Sequence, residues 1–165
     1  MKVQSAAGAC RGFTLIELMV VTVIVTILLS IAIPSYQSQI RQSRRTEAKT
    51  ALLDLAGREE RYLSTNPQGY ATGAGLLGYQ GFGAGFPVAS GYYYLNVCSP
   101  AASPCFGVAI PNPPAAPSYT VVALPVAGQS QANDTQCQQF AVDSTGQQYA
   151  ADNAANNQTQ FCWAN

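Results

Sequence analysis

The sequence predicts an α+β protein in which one long N-terminal helix packs on a small antiparallel β-sheet of three to four strands. Three observations predict it. Residues 13–33 form an apolar run of 21 residues with a single charge, Glu17. A second pattern follows at helical spacing, with Ala48, Ala51, Leu52, Leu55, Glu59 and Tyr62 recurring at steps of three and four. Beyond it β-rich segments alternate with glycine- and proline-rich ones, as runs of short strands do.

The helix comes first. At ~1.5 Å per residue the apolar run spans ~30 Å, the thickness of a bilayer core. Pro34 removes one backbone hydrogen bond, to the carbonyl of Ser30, and is expected to kink the helix without ending it. The stripe from Ala48 to Tyr62 then carries the helix on to about Leu63. Ser64, Thr65, Asn66 and Pro67 stop it. The first half is apolar on all sides and the second half is amphipathic, the usual pattern of a helix packed on a sheet.

The remainder reads as loop and strand. Residues 66–91 hold eight glycines and little periodicity, so a long loop is expected. Residues 92–97 form the first strand. Residues 100–117 contain six prolines and cannot be a central strand. Residues 119–126 form the second strand. Residues 140–143 and 147–150, joined by Ser144, Thr145 and Gly146, make a hairpin.

Charge is distributed unevenly. The chain has eight basic and eight acidic side chains and no histidine, and every Lys and Arg lies at or before Arg61. After it the only charges are Asp134, Asp143 and Asp152. Nothing here resembles a catalytic constellation, since the usual base is absent and the late carboxylates are scattered. The chain is therefore expected not to be an enzyme and to need no cofactor. A metal site built on the cysteines is disfavoured by the lack of histidine and of any C-x-x-C spacing.

Arg11-Gly12-Phe13-Thr14-Leu15-Ile16-Glu17 resembles the prepilin processing site of the type IV pilins and their pseudopilin relatives. Ile33-Pro34-Ser35-Tyr36 and Arg44-Arg45-x-Glu47-Ala48 are similar to the pilin helix that follows. Asp134-x-x-Cys137 and the closing Cys162-Trp163 resemble PilE-like minor pilins. The resemblance implies the pilin fold and three parts: a leader over 1–12, a transmembrane and filament-core helix over 13–34, and an amphipathic helix half with a globular β-domain over 35–165. It implies cleavage between Gly12 and Phe13 by a prepilin peptidase, with N-methylation of Phe13. One departure is Thr26, where many pilins carry a glycine that helps the helix melt before Pro34 on assembly.

The implied product is a structural subunit of a type IV pilus, serving pilus biogenesis, motility or adhesion. It would be held in the inner membrane of a Gram-negative bacterium and then assembled outside the cell. The implied partners are other pilin subunits, the peptidase, the inner-membrane assembly machinery and, before assembly, the membrane. The alternatives are a DNA-binding minor pilin for DNA uptake and a type II secretion pseudopilin. Phosphate contacts need Lys and Arg. The only basic cluster past the leader is Arg41, Arg44 and Arg45, which weighs against nucleic acid.

A carboxylate inside the membrane costs roughly 2.5–3.5 kcal/mol on insertion scales, so Glu17 needs a partner. Cleavage would supply one: the new amino group of Phe13, on a neighbouring subunit or on the same chain. Cleavage would also remove Cys10, leaving Cys98, Cys105, Cys137 and Cys162. An even four in an exported domain reads as two disulfides. Cys98–Cys105 closes a short loop and Cys137–Cys162 brackets the hairpin, and this pairing is expected among the three that four cysteines allow. One rule points the other way: Arg41, Arg44, Arg45 and Lys49 outnumber Lys2 and Arg11, so positive-inside logic alone would invert the topology.

Overall fold

The computed structural model describes residues 12–80, 83, 87, 88 and 90–164. The leader up to Arg11, Cys10 included, lies outside them. Helix α1 spans Leu15–Thr65 and runs through Pro34 without interruption. The chain divides into two compact units, the second beginning at Ile40.

In the first unit α1 stands as a helix whose apolar side chains all face outward. From Phe13 to Ile33 the large hydrophobic residues are between 46% (Val25) and 86% (Leu15) exposed. Hydroxyl side chains are turned back on the helix: Thr22 donates to the Met19 carbonyl, Thr26 to that of Thr22 at 2.7 Å, and Ser30 to that of Ile27. Each hydroxyl thus satisfies itself locally and asks nothing of a partner. Thr26 sits in unbroken helix.

The second unit contains the later half of α1 and a four-stranded antiparallel sheet, β1 (Tyr93–Cys98), β2 (Thr120–Pro125), β3 (Gln139–Asp143) and β4 (Gln148–Ala151), in the order β1-β2-β3-β4. The register aligns Leu95, Ala123, Phe140 and Ala150 across the four strands. These residues pack with Ala48, Leu52 and Leu55 of α1 in the main core. The predicted stripe is thus the helix's contribution to that core. Fully burying one leucine there stabilises by about 1.5–3 kcal/mol.

Val122, Ala141 and Tyr149 occupy the opposite face of the sheet. They are covered by Cys105, Val108 and Ile110, which come from the proline-rich return between β1 and β2. That segment is not a strand: its one ladder contact is the bridge Cys105–Val108. It is a lid, and it explains why all of β2 from Thr120 to Leu124 is buried. A strand covered on both faces loses the alternation of a half-exposed one.

Both outer strands are shielded. Gly83 and Val88 donate backbone hydrogen bonds to Leu95 and Tyr93 of β1. On the other side Asn157 bridges Ala151, and Gln158 donates to the Ala150 carbonyl of β4. Covered edges offer no template for another chain. The β3–β4 turn is held by Asp143, whose Oδ1 accepts from the backbone and hydroxyl of Thr145 and from the backbone of Gln147, while Gly146 takes φ +80°. A short helix, α2 (Thr159–Ala164), then packs on β4 and puts the Trp163 ring edge-on to Phe140.

Candidate functional site

Two regions carry the chain's special chemistry. At the start of α1, Thr14 Oγ1 accepts the backbone N–H of Glu17 at 3.3 Å, and Leu18 N–H reaches the Thr14 carbonyl. Thr14 is therefore the N-cap and Glu17 the third helical residue, the T-x-x-E pattern of a capping box. The side chain of Glu17 is exposed, as are Gly12 and Phe13. A negative side chain in a first turn also opposes the helix dipole favourably. Sequence reasoning gave Glu17 a partner role and overlooked Thr14 as the N-cap, although the T-x-x-E spacing was legible.

In the second unit a polar cluster lies under the globular surface. Arg45 makes a two-pronged ion pair with Asp134, Nε to Oδ2 and Nη2 to Oδ1, both at 2.7 Å. Asp134 also accepts from the side chain of Gln131 and from the backbone of Gln136 and Cys137. Gln131 in turn donates to the Tyr93 hydroxyl. The cluster ties the helix to the turn before β3. It takes Arg45 out of the basic cluster read with Arg41 and Arg44, because the side chain is only 9% exposed and bound to Asp134. Arg44 is engaged too: its guanidinium stacks 3.4 Å from the Tyr92 ring centre and donates to Ser130.

The four cysteines of the second unit form two disulfides. Cys98 is joined to Cys105, Cα atoms 5.9 Å apart, which anchors the lid to the end of β1. Cys137 is joined to Cys162, Cα atoms 5.6 Å apart, which fixes α2 beside the sheet. Lys49 donates to the Cys162 carbonyl, so α1 holds this corner as well; burial and the nearby Arg45 charge lower its pKa.

The long loop after α1 is pinned by acidic side chains of the helix. Glu47 takes both the backbone and the hydroxyl of Ser90. Glu60 accepts from the Tyr70 hydroxyl, and Glu59 accepts the Ala71 N–H at 2.9 Å. Glu59 is fully buried, and burial pushes its pKa up to about 7, opposed by the Ala71 bond and helped by the Glu60 charge. The stripe reading placed Glu59 correctly on the core face but assigned it no job.

Comparison with known proteins joins the two regions. Residues 8–33 match the prokaryotic N-terminal methylation motif. Residues 34–141, well over half of the chain, match the family described as type IV minor pilin ComP, DNA uptake sequence receptor. The chain belongs to this type IV minor pilin family. Its relatives include the type IV major pilin protein PilA of Myxococcus xanthus, 38% identical over 48% of this chain and 36% of that protein. A fimbrial protein of Moraxella nonliquefaciens is 47% identical over 37% of each chain, and the fimbrial protein EcpC of Eikenella corrodens is 49% identical over 28% of each. The chain thus spans about a third of the length of the curated relatives it matches. In this minor pilin the family match takes in β1, the lid, β2 and most of β3.

Proposed function

We propose that this minor pilin is a structural subunit of a type IV pilus. It would be cleaved after Gly12, N-methylated on Phe13, held in the inner membrane by the apolar half of α1, and then built into an extracellular filament. The observation that carries the reading is the outward-facing apolar helix from Phe13 to Ile33 beside a methylation motif. An apolar surface of that extent must be covered, first by lipid and then by other subunits' helices. Glu17, with a neighbour's Phe13 amine, would set the axial register. Mass spectrometry of sheared surface filaments is the test. The expected result is this chain with N-methyl-Phe13 at its start. In a Gly12→Val variant only the uncleaved precursor should remain in the membrane. An unchanged mature mass in that variant sinks the reading.

A second reading is favoured by the family's description: reception of DNA for uptake. Among the six basic side chains past the leader, Arg45 and Arg58 are in ion pairs with Asp134 and Asp54. The remaining four limit counterion release, so log K against log salt should fall with a slope no steeper than about −3.6. A steeper slope for the full processed chain in detergent would require contacts outside this set. Tight binding with a shallow slope would favour base readout and promote reception over a purely structural role.

A further inference from the structure

The side chain of Glu59 is fully buried at the junction of α1, the loop that follows it and the start of β2. Its Oε2 accepts the Ala71 N–H, while its Oε1 meets no donor among the described residues. The titratable groups around it are Glu60 on the same helix, Tyr70 on the loop and Tyr119 just before β2, and none of the three is basic. Tyr70 hydrogen-bonds Glu60 and stands edge-on to Tyr119 with ring centres 4.7 Å apart. Gln68, Tyr70 and Thr72 of this loop form one wall of an open cleft of about 460 Å³, faced by Ser99, Pro117 and Ser118.

We propose that Glu59 is a proton-operated latch: its neutral form holds the 66–72 loop against α1, and its ionised form releases it. The physics is an imbalance. A neutral carboxyl in this site leaves one weakly polar oxygen unmatched, a modest cost. An ionised one leaves a buried charge with a single N–H for solvation and a like charge beside it. The Ala71 bond favours the ionised form, yet burial outweighs it, so near-neutral pH is where the carboxylate draws water in and swings out. The bond to Ala71 is lost with that movement, and the cleft wall at Tyr70 and Thr72 loosens. The latch concerns the loop alone and holds whether or not the chain is assembled into a filament.

The test is amide hydrogen exchange of peptides covering 66–79, in the full processed chain in detergent, at pH 5.5 and pH 8.5 after correction for intrinsic rates. Wild type should lose protection at Ala71 by about tenfold or more at the higher pH, a tenfold change being one pKa unit. Glu59→Gln, which is neutral at both, should keep the acid-form protection throughout. Glu60→Gln should keep the transition but move it to lower pH, because losing the neighbouring negative charge relieves the repulsion on ionised Glu59. Flat wild-type protection, or a Glu59→Gln protein with the wild-type transition, overturns the latch. Should Glu59→Gln fail to fold, wild-type exchange followed against the Glu59 carboxyl ¹³C titration decides: loss of protection at Ala71 that tracks the titration supports the latch, and protection that does not track it rejects the latch.

Discussion

Helix α1 contributes to both units, and its two halves answer to different solvents. Up to Ile33 the apolar residues cover every side of the helix and, among the described residues, stay largely exposed. From Ile40 they narrow to a stripe, and Ala48, Leu52 and Leu55 disappear completely into the chain's own core. The difference teaches where each part's stability comes from. The second unit is stabilised by burial inside the molecule. The first is held by hydrogen bonds along its own helix and must find its apolar surroundings elsewhere. Substitutions in the first unit should therefore alter assembly and spare folding, and substitutions in the second should do the reverse.

The largest expected effect is at Glu17. Glu17→Ala should leave cleavage and the melting of the globular unit unchanged, yet cut incorporation into filaments by more than about a hundredfold. An unpaired amine buried at several kcal/mol accounts for that factor. The readout is subunit level in sheared pili relative to the membrane pool. Wild-type incorporation would break the comparison, leaving Glu17 only its favourable place against the helix dipole.

Asp134→Ala is the counterpart in the second unit. It strands the Arg45 guanidinium in a buried site and should lower stability by about 3–5 kcal/mol in denaturant unfolding. Arg45→Met with Asp134→Leu should recover only part of the loss, because Gln131 and the backbone of Gln136 and Cys137 also depend on Asp134. Removing the Cys137–Cys162 link with paired serines should lower stability by about 3.5 kcal/mol in the loop-entropy picture. A much smaller change would mean that Trp163 against Phe140 already holds α2.

Glu59 gives a gentler, pH-dependent effect. Its folded pKa, about 7, lies above the ordinary value of 4.5. The folded state therefore binds the extra proton between the two values. The contribution is fully present below about pH 4.5, is lost as pH rises, and is gone above about 7. Melting temperature should fall over that window in wild type, and Glu59→Gln should flatten the Glu59 part of the fall. The smallest effect should come at Leu53, which lies on α1 beside buried Leu52 and is itself half exposed. Leu53→Ser should change stability by no more than about 0.5 kcal/mol. A large loss would show that the second unit's outer face is covered after all.

Much of this architecture is legible in the sequence, for identifiable reasons. Helix limits, the core stripe and the hairpin follow from periodicity and turn residues, which are local signals. Tyr93–Cys98 and Thr120–Pro125 begin within one residue of the segments read as strands. Other features escaped. Helix α2 is six residues long, too short for a period, and only the Asn157 side chain capping Thr159 marks its start. The proline-rich return was recognised as unable to form a central strand, but its use as a lid over Val122 and Tyr149 has no local signature.

Sequence alone determined that a membrane-length apolar helix continues into an amphipathic one, and that a charge-poor β-domain with four cysteines follows. Those are properties of residue order, fixed by helical and strand periods and by the chemistry of each side chain. Only the tertiary structure decided which arginine is spent inside the molecule and which carboxyl is buried without a cation. Arg41, Arg44 and Arg45 look alike in the chain, and so do Glu59 and Glu60. What separates them is the partner that the sheet and its loops bring from far along the sequence: Asp134 to Arg45, Tyr92 to Arg44, and the Ala71 amide to Glu59.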